Sequence, residues 1–324
     1  MWDMTSIQRP IRLVIANDPV RYIAGKTLMY WLSLQAQIKC NGYQLEHYFE
    51  PEQITESKTT GLKVRSCKYD RYLQMKSFPS RQTLAAIERK IPGSNQLLAQ
   101  EIWQSLVCSP PNQTYWADFY QNLRPSLQRH VFRIKPSADK NYEQKKMRSL
   151  TVNAIYREGD QQALACLIAL MRQARASEHI VEYDIIEVGV YNLLFFVLSY
   201  EPYFSVRHEI LHHLKEHIVE NDNNLRLRES PWDISEIELN TKCWVIRKNI
   251  LLAEDLGLAI TTKEMRELFY WKHHGDNKLI VKEMAEAHQV QKYQLPNTPC
   301  GLKWLITNIN KSRSPTNKIP TDIL

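Results

Sequence analysis

The sequence predicts an all-α protein, an N-terminal basic domain like a helix-turn-helix followed by a helical bundle or short α-solenoid. Three observations carry that expectation. Glycine is scarce, with nine in 324 residues. Few stretches alternate apolar and polar residues as a half-buried strand does. Long segments instead repeat apolar residues three and four apart, the period of a helix with one buried face.

The elements follow in order. Residues 24–39 form a first helix with Leu28, Trp31, Leu32 and Leu34 to bury, stopped near Asn41-Gly42. Residues 42–49 add a short second helix before Pro51, and the polar run 53–60 reads as loop. Residues 62–74 are helical again. Residues 80–91 follow with Leu84, Ile87 and Ile91 along one side, Pro79-Ser80 marking the start and Pro92-Gly93 the stop. Ser109-Pro110-Pro111-Asn112 breaks the next pattern, and "KPSADK" at 135–140 is the candidate linker. Beyond it, helices are expected over 142–156, 160–176, 180–200, 203–220, 235–256 and 262–273, stacked antiparallel through short turns. The expected domains are therefore 1–135, basic and helical, and 142–310, a helical interaction domain. Residues 311–324 are polar and Pro-interrupted and read as a disordered tail.

Composition bounds the class. The length allows two domains with cores of their own, and 44% apolar with 24% charged residues suits a globular chain. Six cysteines lie singly with no C-x-x-C pair, which excludes a zinc ribbon or disulfide framework and suits a reducing compartment. No basic-then-apolar leader opens the chain. The most apolar run, residues 188–200 between Glu187 and Glu201, is too short to span a bilayer. A cytoplasmic protein with no membrane partner is expected.

Charge is uneven. Residues 1–150 hold 22 Lys and Arg against 12 Asp and Glu, whereas the remainder holds 20 against 23. Residues 58–90 alone carry nine basic and two acidic side chains, an excess equal to the net +7 of the whole chain. Such concentration points to a surface facing a polyanion. On a helix over 62–74, Arg65, Lys68 and Arg71 fall at i, i+3 and i+6, with Lys58, Lys63, Lys76 and Arg81 near by. Leu62, Tyr69 and Leu73 fall on the core side. Cations at that spacing can meet phosphates, and an Arg can take a guanine edge.

"KYDRYLQMKSFPSRQTLAAIERKIPGS", residues 68–94, resembles the second half of a Cro/C1-type helix-turn-helix. Tyr69 and Tyr72 fall where that family places aromatics, Pro79-Ser80 at the cap, and Leu84 and Ile87 at core positions. Met75 stands where the family's turn glycine is usual. The resemblance covers under a tenth of the chain. It implies double-stranded DNA as partner for Lys58, Lys63, Arg65, Lys68, Arg71, Lys76 and Arg81. It also implies a repressor-like regulator of the kind mobile elements carry, with self-association or a protein partner through the C-terminal helices.

His208-Glu209-Ile210-Leu211-His212 is a literal H-E-x-x-H, which on a helix sets two imidazoles one turn apart with a glutamate placed as general base. Joined to a Cro/C1-like module, it resembles the architecture of the ImmA/IrrE zinc metalloproteases. In that alternative, His208 and His212 are ligands and Glu209 the base. The family's third ligand lies in a downstream pattern that Glu229, Glu236, Glu238 and Glu254 do not reproduce. The other explanation is a helix whose stripe of Ile210, Leu211, Leu214 and Ile218 is buried, leaving His208, His212 and Glu216 on a polar face. That explanation is preferred, so no catalytic residue, metal or cofactor is expected. No G-x-G-x-x-G, Walker A or G-x-S-x-G appears either, and Cys40 and Cys243 lack any local Cys-His signature. A scaffold whose basic face takes an acidic protein is the second alternative.

Overall fold

The computed structural model describes residues 18–56, 59, 63–110, 115–134, 142–219, 232 and 234–255. The fold is all-α, with two short hairpins among the described residues. No described helix is long and apolar enough to cross a membrane. The linker expected at 135–140, the helix at 262–273 and the tail at 311–324 lie outside the described residues.

Helix α1 is Val20–Gln35, its first turn held by Asp18, whose Oδ1 accepts the Val20 N–H at 3.0 Å. Helix α2 is Gly42–Phe49, capped by Asn41, which accepts from the Gln44 N–H at 2.9 Å. Strands β1 (Thr55–Glu56) and β2 (Lys63–Val64) pair antiparallel. Helix α3 is Lys68–Leu73 and α4 is Arg81–Lys90, capped by the Ser80 hydroxyl. Short helices α5 (Ser94–Leu98) and α6 (Glu101–Ser105) follow, then α7 (Tyr115–Asn122) and α8 (Pro125–Val131). A second hairpin joins β3 (Phe132–Ile134) to β4 (Tyr142–Gln144). Helices α9 (Ser149–Glu158), α10 (Gln161–Ala176) and α11 (Ile180–Val197) form the main stack. A 3-10 turn, Tyr203–Val206, leads into α12 (Arg207–His213), a π-helical stretch Leu214–Val219 continues it, and α13 spans Glu236–Asp255.

Two compact units are distinguished, Met1–Cys243 and Trp244–Leu324. Within the first, helices from both sides of 135–141 share one core. Helices α6, α9 and α11 pack on α10, and α8 packs on α9. Helix α10 is apolar all round and buries Leu164, Leu167, Ile168 and Leu170 almost completely, each worth about 1.5–3 kcal/mol. Arg124, just before α8, donates to Glu158 at 2.8 Å and also to Asp160. The division therefore does not coincide with the boundary expected near residue 135, because the flanking helices bury apolar faces against each other. Gly189 permits the close approach of α11 to α9: a Cβ there would lie 2.6 Å from the Val152 side chain. In the second unit the described residues continue α13, with the Lys248 ammonium 5.5 Å over the Trp244 ring.

Two expected helices start late. Of 62–74, only Lys68–Leu73 is helical. Lys63 and Val64 pair with the facing strand instead, and Cys67 adopts a left-handed φ of 56° that ends any continuous helix. Of 142–156, the first residues pair with β3 and the helix begins at Ser149.

Candidate functional site

The basic segment is organised by two carboxylates that lie outside it. Glu46 lies on α2 and Glu50 is its C-cap, four residues on, and both are buried. Glu46 accepts the Ser66 N–H at 2.9 Å and the Ser66 hydroxyl, with the Arg65 guanidinium 3.8 Å away. Arg65 also reaches Asp70 at 2.7 Å. Glu50 meets the Lys68 ammonium at 2.6 Å and accepts the Tyr69 hydroxyl at 2.8 Å. A buried carboxylate needs such partners, since stripping it of water without them costs several kcal/mol. The entry into α3 is thus fastened to α2 by charge, and Tyr69 completes it by stacking on Phe49 at 6.4 Å between ring centroids. Burial, then the Glu50 hydrogen bond, raises the Tyr69 phenol far above its ordinary range, so it remains a donor.

The seven cations expected to face DNA separate accordingly. Lys58 and the side chain of Lys63 lie outside the described residues. Arg65 and Lys68 are spent on carboxylates of the fold. Arg71, Lys76 and Arg81 are exposed, with no ion pair among the described residues. They bracket the turn between α3 and α4, where the Lys76 N–H donates to the Arg71 carbonyl at 2.8 Å. Met75 takes a left-handed φ of 56° at the position that the Cro/C1 pattern gives to glycine. The sequence reading missed Glu46 and Glu50. Their spacing of four on an otherwise apolar-faced helix was the available signal.

The H-E-x-x-H residues each find a partner inside the fold. His208 Nε2 lies 3.0 Å from Asn240 Oδ1, and its Nδ1 lies 3.6 Å from Glu236. Glu209 is ion-paired with Lys26 of α1. His212 is exposed and sits 3.2 Å from Glu216, one turn on. Ile210, Leu211, Leu214 and Ile218 are buried, as their spacing predicts. Neither hairpin among the described residues packs as a sheet beside α12. Overlooked next to the motif was its neighbour His213, which is 3% exposed.

No protein-family model matches the chain, and neither a curated protein nor a solved structure matches it significantly.

Proposed function

We propose that the chain is a DNA-binding regulator that presents α3, the turn after it and the N-terminus of α4 to a duplex. The observation carrying this reading is that Arg71, Lys76 and Arg81 stay exposed around the turn, without carboxylate partners among the described residues, while neighbouring Arg65 and Lys68 are paired with carboxylates of the fold. Cations left in solvent at a helix-turn-helix-like corner can displace phosphate counterions, and the arginines can in addition reach base edges. Arg65 and Lys68 act one step removed, by fixing where α3 points. The helices around α10 and α11 supply a rigid body for self-association or a protein partner.

Selection of duplexes from a random pool tests the reading. The parent is expected to enrich a common site. The variant Arg71→Gln/Lys76→Gln/Arg81→Gln is expected to enrich none, and the charge-matched variant Arg129→Gln/Lys146→Gln/Arg148→Gln to enrich the parental site. A parent that retains no duplex, or a first variant that selects like the parent, overturns it.

A further inference from the structure

Away from the basic corner, two segments distant in sequence bring three metal-binding side chains together. Cys108 lies in the loop after α6, His213 ends α12, and His217 follows in the π-helical stretch. Their potential ligand atoms all lie within 4.8 Å of one another. The two imidazole rings are 4.8 Å apart between centroids. Asp18 lies beside Cys108, with its Oδ1 3.7 Å from the Cys108 Sγ. We propose that Cys108, His213 and His217 bind one divalent ion of the zinc class, with water in the fourth position.

Cys108 and His213 are held before any ion arrives. The Cys108 loop is fixed from both sides: its N–H donates to Asp18 Oδ2 at 2.7 Å, and its carbonyl accepts from Arg172 at 3.0 Å. Arg172 also donates to the carbonyls of Ser105 at 2.9 Å and Val107 at 2.5 Å. His213 Nε2 lies 2.7 Å from the Leu106 carbonyl. That contact places the ring proton on Nε2 and leaves the Nδ1 lone pair free, the orientation that outer-shell carbonyls impose on metal-bound histidines. The π-helical stretch brings His217 over His213, and Arg175 anchors it through the Ile218 carbonyl at 2.6 Å. π-Turns of this sort are frequent where a helix serves a site.

The donor set selects the metal. One thiolate and two imidazoles match the sulfur and nitrogen ligands of tetrahedral zinc, which leaves a fourth position for water. With bonds of about 2.0–2.3 Å, such ligands lie roughly 3.3–3.7 Å apart, so the group must contract by about an ångström. His217 is exposed and can supply that movement. On binding, the metal–sulfur bond replaces the S–H bond and the proton leaves to solvent. The ion would tie the loop after α6 to the end of α12 in one cross-link.

The test titrates the full-length, chelator-treated protein with zinc alone and with cobalt(II) alone. One ion per chain is expected, with a thiolate-to-cobalt charge-transfer band and a melting temperature that rises with metal. Cys108→Ser should abolish the band. His217→Ala should weaken binding by at least the roughly 10–100-fold that an outer-shell partner is worth, and its exposed position lets the variant fold. His208→Ala and His212→Ala should bind like the parent, which separates this site from the H-E-x-x-H residues. If Cys108→Ser does not fold, alkylation replaces it: zinc should protect Cys108 while exposed Cys67 still reacts. The proposal is overturned by a parent that binds no stoichiometric metal, by binding unchanged in His217→Ala, or by a cobalt complex without the thiolate band.

Discussion

The Lys68 ammonium lies 2.6 Å from the Glu50 carboxylate, which is 4% exposed and also accepts the Tyr69 hydroxyl at 2.8 Å. A cation that composition assigns to a nucleic-acid surface is thereby half-buried and tied to the fold. It fixes α3 against α2, and what remains for a partner is the group beyond it.

Lys68→Met should therefore destabilise the fold rather than merely reduce its charge. Removing one partner leaves the Glu50 carboxylate buried and poorly compensated, at a cost of about 3–5 kcal/mol. Urea denaturation reads this directly. A loss below about 1 kcal/mol would place the pair among weak surface bridges.

Met75 is held at a φ of 56°, a conformation that costs a side-chain-bearing residue about 1–2 kcal/mol. Met75→Gly should remove that strain, partly offset by the entropy glycine loses on folding, for a net gain of about 0.5–1 kcal/mol. Met75→Val, β-branched at the same position, should lower stability. The reverse order of the two variants in the same denaturation assay contradicts the assignment.

The Ser80 hydroxyl accepts the Thr83 N–H at 3.2 Å at the start of α4. Ser80→Ala should cost about 1 kcal/mol, and Ser80→Asp should recover most of it. If Ser80→Ala matches the parent in thermal melting, the cap contributes nothing.

Glu88 receives hydrogen bonds from the Gly93 N–H at 2.6 Å, the Ser94 hydroxyl at 2.7 Å and the Asn95 N–H at 2.9 Å. Burial works to raise its pKa, but these three donors outweigh it and the net shift is downward. A depressed carboxylate stabilises fully above its unfolded pKa and loses that contribution as pH falls through its folded value. The stability gap between the parent and Glu88→Gln should thus be constant near neutrality and shrink in the acid range below ordinary glutamate values. A gap independent of pH contradicts this.

What the sequence made legible was what lies local in it. Helical periodicity, the Ser80 cap and the stripe of Ile210, Leu211, Leu214 and Ile218 all depend on spacings of a few residues, and the structure has them. The start of α3 was not legible, because Lys63–Val64 pairs across a hairpin and Arg65 and Ser66 turn toward Glu46, some 20 residues back. Charge counting failed for the same reason: the acids that neutralise Arg65 and Lys68 include ones outside the basic window. The packing of α6 and α9 on α10 across 135–141 also joins segments that local composition separates. Likewise, the literal H-E-x-x-H drew attention from His213, which reaches the Leu106 carbonyl over a sequence separation of 107 residues.

The salt dependence of duplex binding tests the central claim most directly. Each lost phosphate contact lowers the slope of log affinity against log salt by about 0.9. If Arg71, Lys76 and Arg81 each meet a phosphate, neutralising all three should flatten the slope by about 2.7 and weaken binding, whereas neutralising Arg129, Lys146 and Arg148 should leave it unchanged. Equal slopes for the parent and the Arg71→Gln/Lys76→Gln/Arg81→Gln variant at every salt concentration would contradict the account and return the basic corner to a protein partner or to solvent.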